Sequence, residues 1–65
     1  MRAPKFGVGQ SVVYFPPLGL TAQSGAYRVT AKIPLRSGHF EYRIKHQFEE
    51  HERVAAEDDL SVLWN

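Results

Sequence analysis

Two stretches of this chain alternate strictly between apolar and polar residues. Tyr27, Val29, Ala31 and Ile33 alternate with Arg28, Thr30 and Lys32; Phe40, Tyr42 and Ile44 alternate with Glu41, Arg43 and Lys45. A period of two places one set on each face of a strand, so each stretch predicts a β-strand with an apolar face and a basic face. Arg36-Ser37-Gly38-His39 lies between them and predicts a tight turn, with Gly38 at positive φ. Together they make an antiparallel hairpin over residues 26–46. A turn that pairs Leu35 with Phe40 sets Lys32 opposite Arg43 and Thr30 opposite Lys45.

The flanking segments extend the pattern. Residues 1–5 read as a flexible N-terminus, and residues 6–65 as one domain. Val8, Val12 and Tyr14 share parity, which gives a strand from about Gln10 to Phe15. Pro16-Pro17 ends it, because neither residue can donate to a ladder. Leu18 to Gly25 follows as a loop. Beyond the hairpin, Gln47 to Glu50 is a second turn, and His51 to Ala56 a short strand with Val54 and Ala56 inward and Arg53 outward near Lys45. Glu57-Asp58-Asp59-Leu60 reads as one helical turn, its acids suited to a helix N-terminus. A last strand from Ser61 to Trp64 pairs with the first. The expected core is Val8, Val12, Tyr14, Tyr27, Val29, Ile33, Tyr42, Ile44, Val54, Leu60 and Val62.

Five short strands, a long first loop and a helical turn before the last strand predict an all-β fold, a small five-stranded SH3-like barrel. The motifs point the same way. Val8-Gly9-Gln10-Ser11-Val12, Tyr27-Arg28-Val29, the Tyr-Arg-Ile-Lys run from Tyr42 to Lys45 and the acid-rich turn closing on Leu60 resemble a family of short, uncharacterised bacterial proteins with an SH3-like barrel. The resemblance spans nearly the full chain. It implies a fold and brings no activity.

Composition narrows the chemistry. At 65 residues the chain is near the lower limit for a core without disulfide or metal support, and it has no cysteine. One Trp, three Tyr and four Phe must supply much of that core. No apolar run approaches the ~20 residues of a membrane span, and the start lacks the apolar segment of a signal peptide, so a cytoplasmic monomer is the default expectation. The net charge of +1 conceals an asymmetry: residues 1–46 carry seven Lys/Arg against Glu41, and residues 47–65 carry Arg53 against six acids. Such a chain can present a positive surface to an anionic partner, or pair its acidic end with its own basic strands.

No arrangement of residues announces catalysis. There is no triad in a recognisable context, and Gly7-Val8-Gly9 lacks the helix a phosphate loop needs. His39, His46 and His51, with Glu49 and Glu50 beside the last two, are too dispersed for a metal site, and no cofactor is expected. Pro16-Pro17 with Tyr14 and Phe15 lacks the strand entry and tryptophan pair of the eukaryotic signalling SH3 domains. Plasmid-encoded type II dihydrofolate reductases are SH3-like barrels too, but their Val-Gln-Ile-Tyr strand is replaced here by Glu52-Arg53-Val54-Ala55. A non-catalytic binding module is expected, with two candidate surfaces. One is a loop and aromatic surface for another protein: Phe15, Leu18, Leu20 and Trp64. The other is a basic sheet face for nucleic acid: Arg28, Lys32, Arg43, Lys45 and Arg53, where like charges set opposite one another are unfavourable unless an anion relieves them.

Overall fold

The computed structural model describes residues 3–23, 25–36 and 38–63. Its strands are β1 (Ser11–Tyr14), β2 (Ala26–Arg36), β3 (His39–His46), β4 (Glu52–Ala56) and β5 (Leu60–Val62), with a 3-10 turn at Glu57–Asp59. All neighbouring strands are antiparallel and form one five-stranded sheet in the order β4-β3-β2-β1-β5. Among the described residues no ladder joins β4 to β5, so the sheet is not closed by hydrogen bonding. No helix of the described chain is long and apolar enough to cross a membrane.

The strands fall where β-branched and aromatic residues alternate, and they stop where the ladder must stop. β1 ends before Pro16-Pro17, whose ring nitrogens cannot donate. The β2–β3 turn has Gly38 at φ 78°, a left-handed conformation that favours glycine. Gly25, at φ 109°, enters β2 with its Cα close to the buried His46 ring: a Cβ there would lie 3.4 Å from Nε2.

Phe6, Val12, Tyr14, Tyr27, Val29, Phe40, Tyr42, Ile44, Ala55 and Leu60 form the apolar core. Along β3, Phe40, Tyr42, Ile44 and His46 are all buried, as the alternation requires. Four expected core positions differ. Val8, Val54 and Val62 are exposed (62, 49 and 42%) and Ile33 is half-buried. Val8 rides on a turn closed by Gln10 N–H to the Gly7 carbonyl, which lifts it off the sheet. Val62 opposes the buried Val12, but β5 is an edge strand and leaves its side chain half open.

Val54 reflects a slip of one residue. β4 pairs Tyr42 with Ala55 and Arg43 with Val54, not Tyr42 with an inward Val54 or Ala56. Tyr42 is fully buried, and the small Ala55 fits opposite it. Since successive side chains change face, that slip turns Val54 outward and sets Arg53 opposite Ile44.

Candidate binding surfaces

The basic face is also rearranged by register. β2 and β3 pair Arg28 with Lys45 and Val29 with Ile44, then shift by a bulge before Ala31 pairs with Arg43 and Lys32 with Tyr42. A second irregularity separates Ile33 from Arg36, across Pro34. The expected Lys32–Arg43 and Thr30–Lys45 oppositions are therefore replaced. Arg28 faces Lys45 directly, and the Thr30 hydroxyl donates to the Arg43 carbonyl at 3.2 Å.

Arg53 leaves the outer face. Its guanidinium donates to Glu49 in a two-pronged bond, Nε to Oε1 at 3.2 Å and Nη2 to Oε2 at 2.8 Å. That hydrogen bond is the main cause holding the Glu49 carboxyl below its ordinary 4.5, and it raises the Arg53 value in turn. Arg43 lies 3.9 Å from Glu52 at the edge of the sheet. Of the five expected cations, Arg28, Lys45 and Arg43 share a neighbourhood on the outer face; Lys32 is exposed beyond the bulge, and Arg53 belongs to an ion pair.

The loop between β1 and β2 carries the other surface. Phe15, Leu18 and Leu20 are exposed (59, 106 and 49%), while Trp64 lies outside the described residues. This segment is bonded to the 3-10 turn, to itself and to β2, although its apolar side chains stand out. Phe15 N–H donates to the Asp59 carbonyl at 2.8 Å, Leu20 N–H to the Pro17 carbonyl at 3.1 Å, and the Tyr27 hydroxyl to the Gln23 carbonyl at 2.8 Å. Ala22 packs against the core. Beside it a groove of about 410 Å³ runs between Thr21, Ala22 and Gln23 and the Glu49–Arg53 pair.

Two buried polar groups carry structure that periodicity alone does not show. Glu57 is buried, and its Oε2 accepts the Tyr42 hydroxyl at 2.7 Å and Lys5 N–H at 3.0 Å. The Tyr42 oxygen also lies 3.0 Å from Lys5 N and 3.4 Å from Phe6 N. Burial foremost, then the bond to Glu57, raises the Tyr42 phenol above its ordinary 10.0. The acid at the first position of the 3-10 turn thus points inward to Tyr42, a role beyond the helix N-terminus that the sequence pattern suggests. His46 is the second. It is buried edge-on to Tyr27 at 5.0 Å and accepts Phe48 N–H on Nδ1 at 3.1 Å. His51 is exposed and lies 3.9 Å from Glu49, and no cluster of three metal-ligating side chains occurs among the described residues. Comparisons with protein-family models, with curated proteins and with solved structures return no match for this chain.

Proposed function

We propose that this protein is a non-catalytic interaction module, an SH3-like barrel that binds another protein through the apolar loop between β1 and β2. The strand order supports that fold reading. β1 joins β5, and the chain crosses from one edge strand to the other through a single 3-10 turn, an arrangement suited to a sheet curling on itself.

One observation carries the functional reading. Three large apolar side chains, Phe15, Leu18 and Leu20, stand exposed within six residues on a loop whose backbone is bonded to the 3-10 turn at Phe15 and to the buried Tyr27 at Gln23. Single exposed apolar residues are ordinary; a cluster on a fastened loop is not. A pre-ordered loop loses little entropy on binding, so its contacts convert more fully into affinity. The neighbouring groove and its charged pair offer a polar rim to an apolar centre.

The test places a photo-crosslinking amino acid at position 18 in cells that make the protein. A discrete protein adduct is expected, lost when Phe15 and Leu20 are changed to Ser in a variant whose amide spectrum remains dispersed. Adducts that are diffuse, or indifferent to that double substitution, overturn the reading.

A further inference from the structure

The rearranged register concentrates donors at one place on the sheet. Ser11 on β1 opposes Arg28 on β2, and Arg28 opposes Lys45 on β3, so the three form one cross-strand row. Two inter-strand spacings span ~10 Å, within reach of one small polyanion for side chains of this length. The row floors a cleft of about 530 Å³ whose lining includes Ser11, Ala26, Arg28, Thr30, Lys45 and Gln47, and no acidic residue.

The local acids are otherwise engaged. Glu52 opposes Lys45 from β4 but takes its ion pair with Arg43, while the Lys45 ammonium reaches the His46 carbonyl at 3.4 Å. Arg28 makes no ion pair among the described residues. Arg28 and Lys45, set directly opposite, repel each other, and of the two only Lys45 has an acid, Glu52, across its other ladder.

We infer that this cleft binds a phosphate monoester of small-molecule size, with its phosphoryl group on Arg28 and Lys45. The charge balances: two cations meet a group carrying about −1.5 to −2 at neutral pH. The guanidinium offers paired donors to phosphate oxygens and the ammonium a point charge. The Ser11 hydroxyl lies on the same row. A volume of about 530 Å³ exceeds what a phosphoryl group fills and falls in the usual range for small-molecule clefts. The cleft spans only Ala26–Thr30 on β2 and the end of β3 at Lys45 and His46, a length that suits a compact ligand better than a long polymer backbone. This surface is separate from the Phe15–Leu20 loop, so either assignment stands without the other.

The experiment titrates the isotope-labelled protein with adenosine monophosphate, inorganic phosphate, acetate and a thymidine octanucleotide at constant ionic strength. Adenosine monophosphate is expected to shift the amides of residues 11, 26–28 and 45–47 saturably, and phosphate the same amides more weakly. Acetate is expected to leave them in place. Arg28→Gln and Lys45→Gln should each weaken binding at least tenfold without lowering the melting temperature, since each also removes the repulsion. Lys32→Gln, an exposed cation outside the cleft, should match the parent. The inference is overturned by an absence of saturable shifts or by an equal loss in Lys32→Gln. It is also overturned if the octanucleotide binds tenfold more tightly than the mononucleotide, which would make the face a nucleic-acid surface.

Discussion

Tyr42 and Tyr27 are both fully buried, each with its phenol pushed above the ordinary value chiefly by burial, and yet their hydroxyls hold very different things. Tyr42 donates to a buried carboxylate and stands beside the N–H groups of Lys5 and Phe6, so one oxygen ties the 3-10 turn, β3 and the entering chain together. Phe6 completes that end, edge-on to the Tyr42 ring at 5.5 Å. Tyr27 donates to the carbonyl of an exposed loop residue, Gln23. Its ring meets Tyr14 and His46 edge-on, and a tilted contact continues from His46 to the exposed Phe48. One end of the sheet is sealed by a polar knot, and the other opens onto the loop carrying the candidate docking residues. The same residue type serves permanence at one end and presentation at the other.

The largest effect should come from Ile44→Ala. Ile44 lies between Tyr42 and His46 on the inner face of β3 and is fully buried, so its loss undermines both ends at once. A large-to-small change of this kind costs ~2–5 kcal/mol, much of what so small a domain has in reserve. Chemical denaturation should show the midpoint collapse, and a midpoint near the parent's would refute the inward placement.

Tyr42→Phe should rank next. It strips a hydroxyl from a buried carboxylate and from two backbone donors, and unsatisfied buried groups cost ~1–3 kcal/mol. Tyr27→Phe removes a bond to a carbonyl that water can reach and a minor interaction with Arg53, which keeps Glu49 as its partner, so its cost should be about 1 kcal/mol or less. Faster hydrogen exchange should appear in residues 15–25 in the Tyr27 variant and around Lys5 and Phe6 in the Tyr42 variant. Equal stability losses would erase the distinction between the two ends.

The smallest effect concerns the Glu49–Arg53 pair beside the open end. Because Arg53 depresses the Glu49 value, the folded state holds that proton less tightly than the unfolded chain does. The pair's contribution is therefore complete above pH 4.5 and is lost as the pH falls through the lowered value. Arg53→Gln should flatten this part of the acid unfolding curve, read by thermal melts between neutral and acid pH. An unchanged curve would mean the pair is only solvated.

Much of the sheet was legible in the chain itself. The 26–46 alternation, the glycine turn at Gly38 and the proline stop after Phe15 placed five strand ends within a residue or two, and Val12, Tyr14, Tyr27, Val29, Tyr42, Ile44 and Leu60 are buried as expected. The register was not legible, because a bulge at Val29–Thr30–Ala31 carries no glycine or proline to announce it. On β4 the larger Val54 was expected inside, but the volume of Tyr42 across the ladder admits Ala55. That single slip separates Arg53 from the basic face. In the sequence Glu57 looks like a terminal acid, because its partner, Tyr42, is fifteen residues away and only the folded chain brings them together. The exposure of Phe15, Leu18 and Leu20 depends on no register.

The ladder between β1 and β5 has a consequence for the order in which the molecule is made. Val12 and Tyr14 leave the ribosome well before the strand that covers them on one side, Leu60–Val62. The β2–β3 hairpin, whose partners are near in sequence, can form while the chain is still growing; the β1–β5 ladder must close a loop of nearly the whole described chain. Until then one edge of β1 waits with its hydrogen-bonding groups open. A nascent chain stalled before Leu60 is thus the form most exposed to pairing with a neighbour, and only once Leu60–Val62 has emerged can that edge be hidden.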